Sequence, residues 1–197
     1  MIQSLVVGFV FSFLGSIPPG TINLSVLQLG LKNQMLGVLF FSLAAVAVEF
    51  VYASLAVEFQ LFLIENTSLT ENLQIISALA MIALGVIHLS NKPRGQPIEF
   101  KQGRTNFRNG VIISAVNPLA IPFWVAVTAY LQNQGLLVLG SASNFWSYIV
   151  GICLGTLMLL VFVGQMAQKF QNFQNNLVVN KLPGVIFLGL GLYTFWS

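Results

Sequence analysis

The sequence predicts an all-α, polytopic membrane protein of six transmembrane helices, built as two inverted three-helix repeats with a broken first helix in each. Three observations carry this. Only 7% of the 197 residues are charged and 56% are hydrophobic, with a mean hydropathy of +0.85. A soluble fold of this size would lack the polar groups to cover its surface. Six apolar stretches approach the roughly 20 residues that a spanning helix needs. All eight Lys and Arg residues fall on one side of the resulting path. These features exclude a disordered chain, a nucleic-acid-binding domain and an ordinary cytosolic enzyme.

The first span covers 2–31 and is interrupted at Pro18-Pro19-Gly20. No Lys or Arg precedes Lys32, so a cleavable signal peptide is not expected and this span should be retained. The second span covers 35–57, with room to continue to 64, and the third covers 73–90. The fourth covers 110–130 and is interrupted at Asn117-Pro118, with Pro122 one turn on. The fifth covers 145–166 and the sixth, a short one, 182–196. The sixth starts earlier, near Leu177, or thins the bilayer locally.

The connections give orientation. Lys32 lies in the first; Lys92, Arg94, Lys101, Arg104 and Arg108 in the third; Lys169 and Lys181 in the fifth. The second holds Glu65 and Glu71 and no base, and the fourth, 131–144, has no charge. The basic side should be cytoplasmic, which puts both termini outside. Trp146 and Trp196 fall at predicted outer ends, where interfacial aromatics belong. The net charge of +3 is then an orientation signal, not an affinity for anions.

Pro93, Gly95, Pro97 and Gly103 mark the third connection as a loop. The chain divides into a first repeat over 1–91, a basic cytoplasmic loop over 92–107 and an inverted second repeat over 108–197. In the fifth connection Phe170, Phe173 and Leu177 fall at helical spacing. They suit a short helix on the membrane surface or an extension of the fifth span. Cys153 is the lone cysteine, so no intrachain disulfide forms, and an apolar packing role is expected.

An internal repeat agrees with this topology. Pro18 and Pro118 are 100 residues apart, as are Leu31-Lys32-Asn33-Gln34 and Leu131-Gln132-Asn133-Gln134. Inverted repeats with paired helix breaks point to a secondary transporter whose site lies at the midplane. Proline removes a backbone N–H and frees carbonyls that need partners. The half-helix after each break presents N–H groups suited to a carboxylate. Pro18, Pro19, Gly20, Asn117 and Pro118 are therefore candidate site residues. The plain alternative is a pair of packing kinks.

The segment Gly15-Ser16-Ile17-Pro18-Pro19-Gly20-Thr21-Ile22-Asn23-Leu24 resembles the opening of LysE/RhtB-type amino-acid exporters, whose first span contains Pro-Gly-Pro. Phe107-Arg108-Asn109-Gly110 leading to Asn117-Pro118-Leu119-Ala120 is similar to the family's second pattern. Length, span count and basic central loop agree along essentially the whole chain. The resemblance implies export of amino acids or related solutes across the bacterial inner membrane, driven by an ion gradient. Thr21 and Leu119 depart from the family pattern, so substrate choice does not carry over.

Glu49 is the charged residue placed well inside a span. Such an acid costs about 2.5–3.5 kcal/mol on insertion scales and usually faces a cavity or partner. Ser42, Ala45, Glu49, Tyr52 and Ala56 form one stripe of small and polar groups, which should face the bundle interior. Leu39, Phe40, Val46 and Phe50 lie on the opposite faces. Glu49 suits pairing with a substrate ammonium, or carriage of a coupling proton; the bland reading is a protonated Glu bonded to a neighbouring helix. Asn23 and Tyr52 are further site candidates, and Asn117 suits an N-cap. His88 reads as an interfacial side chain, and Gly151-x-x-x-Gly155 as close helix packing.

The favoured function is export of an amino acid or similar small zwitterion by alternating access. The expected partners are that solute, a coupling ion with the proton as leading candidate, the lipid bilayer and, as an open option, further copies of the chain. No nucleic acid, cofactor or resident metal is expected. A divalent-cation exporter would need more than one deep carboxylate. A membrane enzyme would need a nucleophile–base or metal set. A non-transporting scaffold would leave the matched breaks and Glu49 unexplained.

Overall fold

The computed structural model describes residues 1–17, 20–65, 82, 86, 104–117 and 120–167. Pro18, Pro19, Pro118, most of the third span, the sixth span with Trp196, the loop up to Gly103, most of the fifth connection and His88 lie outside the described residues. Six helices are described: α1 (Ile2–Gly15), α2 (Thr21–Leu31), α3 (Met35–Glu65), α4 (Arg104–Ala115), α5 (Ala120–Asn133) and α6 (Ala142–Ala167).

The first predicted span is the pair α1 and α2, separated where the prolines fall. The Ile17 N–H, just before Pro18, turns back to the Leu14 carbonyl at 3.2 Å, one residue short of a helical bond. The fourth span breaks in the same way into α4 and α5, bent by 65°. There the Asn117 N–H turns back to Ser114 at 3.1 Å. A residue before proline is pushed out of the helical region, which explains why both helices stop where they do. Pro122 does not interrupt α5. It stands in the first turn, where its missing N–H has no helical acceptor to serve.

Both half-helices after the breaks end in the same cap. The Gln34 N–H reaches the Leu29 carbonyl and the Leu136 N–H reaches Leu131, both at 2.9 Å. Asn33 (φ 58°) and Gly135 (φ 67°) take the left-handed position that this cap requires. The two caps stand 102 residues apart, not the 100 that the matching Leu-x-Asn-Gln strings predict. Asn133 stays helical because Gly135, two residues on, adopts the left-handed turn more readily than Asn.

α3 and α6 are unbroken, apolar and long enough to cross a bilayer. α3 reaches Glu65, past the predicted minimum at 57. At about 1.5 Å per residue its 31 residues exceed the roughly 30 Å of hydrocarbon. α4 starts at Arg104, inside the stretch read as loop; its polar first turn extends the helix with Phe107 and Arg108 exposed. The broken helices pack across onto the unbroken ones. α1 and α2 lie on α6, α4 and α5 lie on α3, and α3 and α6 touch each other. Val26, Leu29, Val38, Phe41 and Leu160 fill one end of the interior. Trp124, Leu131, Phe145, Tyr148 and Ile149 fill the other. Val6, Val10, Leu39, Phe40 and Phe50 face outward, as expected where the surroundings are acyl chains.

Candidate functional site

Glu49 stands near the middle of α3. The stripe predicted to face inward does so: Ser42, Ala45 and Ala56 are buried, and Glu49 and Tyr52 are half-buried. Leu39, Phe40 and Phe50 are exposed, while Val46 is half-buried. The Trp124 indole Nε1–H of α5 donates to Glu49 Oε1 at 3.3 Å. Trp124 is buried and held edge-on by Phe123, at 4.8 Å between ring centroids, and by Tyr148, at 6.3 Å. Its indole direction is therefore set by packing.

On α6, Thr156 makes a separate buried contact with α1. Its Oγ1 lies 2.6 Å from Ser12 Oγ, and the Ser12 hydroxyl donates to the Ile152 carbonyl at 2.7 Å. Ser16 Oγ is 3.4 Å from Thr156 Oγ1. These short side chains can meet because the two helices touch backbone to backbone. A Cβ added at Gly8 would strike the Tyr148 carbonyl, one at Gly151 the Leu5 carbonyl, and one at Gly155 the Phe9 carbonyl. The Gly151-x-x-x-Gly155 pair thus packs as the sequence suggests.

The carbonyls freed at the breaks are met by side chains. The Asn23 amide donates to Ser16 O at 2.6 Å, spanning the first break. The Tyr52 hydroxyl donates to Ala115 O at 2.7 Å, at the last residue of α4. Gly20 is the N-cap of α2, in an extended conformation. Asn117 is half-buried, and its backbone closes the last turn of α4. Asn23 and Tyr52 are therefore brought to the breaks as caps, whereas Glu49 lies one turn before Tyr52. Phe123 rests on Gly15, so the start of α5 adjoins the end of α1. Cys153 is half-buried in α6.

Sequence reasoning missed Ser12, Ser16, Trp124 and Thr156. A signal was there for two of them. Ser4, Gly8, Ser12 and Ser16 recur every fourth residue, the small-residue pattern of a close helix contact. Chemically, one carboxyl group meets an indole in an apolar surround. It can hold and release a proton, or face a cation. Among the described residues no group of three His, Cys, Asp or Glu side chains could hold a metal.

Residues 13–196 match the protein family described as LysE type translocator. The chain is 24% identical over 195 residues to the "Putative amino acid efflux protein YcgF" of Bacillus subtilis (strain 168), covering 92% of this chain and 88% of that protein. No solved structure matches it.

Proposed function

The chain belongs to the LysE family of translocators, and from that membership we propose that it exports an amino acid or related small zwitterion by alternating access. It is a membrane transport protein and not an enzyme. The observation that carries the finer reading is the position of Glu49. It is an acid in mid-helix, hydrogen-bonded to Trp124 of the second half's broken helix. The similar protein's name, an amino acid efflux protein, supports the direction and the solute class.

Two inverted repeats, 1–91 and 108–197, joined by the basic loop, would supply the alternating motion. Three features support them. The breaks share one backbone hydrogen-bond pattern 100 residues apart, with Ser16 to Ser12 matched by Val116 to Ile112. The half-helices after them end in the same cap. The packing is exchanged in matched pairs: each broken helix lies on the other half's unbroken one. Rocking one half against the other would then move a broken helix past Glu49.

The N-terminus of α2, opened at Gly20 after Pro18 and Pro19, suits a substrate carboxylate. The corresponding end of α5, after Asn117-Pro118, offers the same. Glu49 suits the substrate ammonium or a coupling proton. Asn23 and Tyr52 stand at the edge of this site, pairing with the carbonyls freed at the breaks. The bacterial inner membrane, with both termini outside, fits the sided distribution of basic residues. The test is efflux of an amino-acid panel from proteoliposomes, with and without a pH gradient. Export of at least one member, stimulated by the gradient, is the expected result; no export of any member would overturn the reading.

A further inference from the structure

A buried polar group without a partner costs free energy and calls for an explanation. Among the described residues Gln60 of α3 is the extreme case. It is 0% exposed, and neither its amide oxygen nor its amide nitrogen has a hydrogen-bond partner. The other buried side chains in this position each leave a single atom unpaired. The surroundings of Gln60 are apolar. Ala56 and Val57, one turn earlier, belong to the cluster that holds Leu131, Leu137 and Leu139, and Leu61 packs against it. A leucine would suit such a place better than an amide.

Its position along α3 gives the amide a context. Gln60 lies eleven residues past Glu49, about 16 Å along the axis and within about 20° of it around the helix. Ser42 lies seven residues before Glu49, about 10 Å the other way and again within about 20°. Ser42 is also 0% exposed, and its hydroxyl has no partner among the described residues. Its neighbours Phe41 and Ala45 belong to the other apolar cluster, with Val38 and Leu160. One face of α3 thus carries Ser42, Glu49 and Gln60 in line. Ser42 and Gln60 are each set in one of the two clusters that fill the interior on either side of Glu49.

We propose that Gln60 and Ser42 are solute-binding residues, Gln60 forming an outer subsite and Ser42 an inner one, each uncovered when the apolar cluster around it parts. The proposal rests on the transport reading above and gives it a path along one face of α3. An amide matches a zwitterion at both ends: Oε1 accepts from an ammonium group and Nε2 donates to a carboxylate. The Ser42 hydroxyl can donate or accept in the same way. With both clusters packed, neither residue has a partner, as befits groups whose partner is the passing solute. Glu49, between them, is reached from one side or the other according to which cluster has parted.

The test is Gln60→Met, which keeps the length of the side chain and removes the amide. Losing an unpaired amide leaves stability unharmed, whereas breaking a pairing lowers it. The melting temperature in detergent should equal or exceed that of the parent. In proteoliposomes, kcat/KM for each panel amino acid that the parent exports should fall at least tenfold, and Gln60→Asn, which keeps an amide, should retain more. A lowered melting temperature in Gln60→Met, or export equal to the parent's, overturns the proposal. A second measurement uses no amino acid. In a Cys153→Ala background, Gln60→Cys should be modified by methanethiosulfonate ethylammonium, a small ammonium-bearing thiol reagent, added from the face opposite Lys32. Ile149→Cys, equally buried in the same cluster, should resist it. A thiol at position 60 no more reactive than one at 149 overturns the proposal and leaves the efflux reading intact. A reactive thiol at position 60 in a chain that exports no panel member faults the choice of solute and upholds the path.

Discussion

At Glu49 the cost of the side chain is the argument for its use. An acid at the centre of a helix is maintained at a penalty of about 2.5–3.5 kcal/mol, and here it is met by an indole instead of a base. Glu49→Gln keeps the shape and an oxygen for the Trp124 indole to bond. It should therefore fold, run as the parent in size-exclusion chromatography and show no efflux in proteoliposomes. Full efflux by this variant would remove both the substrate-binding and the proton-carrying roles. Glu49 was legible in the sequence because charge is rare in this chain. Trp124 and Thr156 were not, since a tryptophan or threonine in an apolar run is ordinary. Their importance arises from contacts 75 and 144 residues away, to Glu49 and to Ser12, fixed only once α5 and α6 are docked.

At the scale of the elements, the breaks were readable and their repair was not. Proline marks where a helix must stop, so Pro18 and Pro118 located both interruptions. Which side chain reaches the freed carbonyl depends on packing. Tyr52, expected at the substrate site, caps Ala115 O. Tyr52→Phe keeps the ring and leaves that carbonyl unpaired, at about 1–3 kcal/mol. The expected outcome is a lower melting temperature in detergent with efflux retained. A variant of unchanged stability that loses efflux would instead place the hydroxyl on the substrate. The α1–α6 contact predicts a second effect. Gly151→Val puts its added carbon against the Leu5 carbonyl, an overpacking worth typically 1–3 kcal/mol. Gly140, with open space around its added Cβ, is the control: Gly140→Ala should leave the melting temperature unchanged.

For the whole molecule, composition and hydropathy gave the membrane class directly, while the exchanged packing of the halves had no signature in either. A hydropathy profile records which segments are apolar and says nothing about which segments touch. The sided placement of charge is different, because it follows from energetics outside the protein. Lys32 follows α2 on the predicted cytoplasmic side, and Ser141 precedes α6 on the opposite side. Both are exposed. In a Cys153→Ala background, Ser141→Cys should react with a membrane-impermeant maleimide on intact cells, and Lys32→Cys only after lysis. The reverse pattern would turn the molecule over: the α2 end now assigned to the cytoplasm would face outward. Export would then have to be reread as uptake, although the packing of the halves around Glu49 would be unchanged. Orientation is thus the feature on which direction of transport rests, and it is set by the sided placement of the basic residues along the sequence.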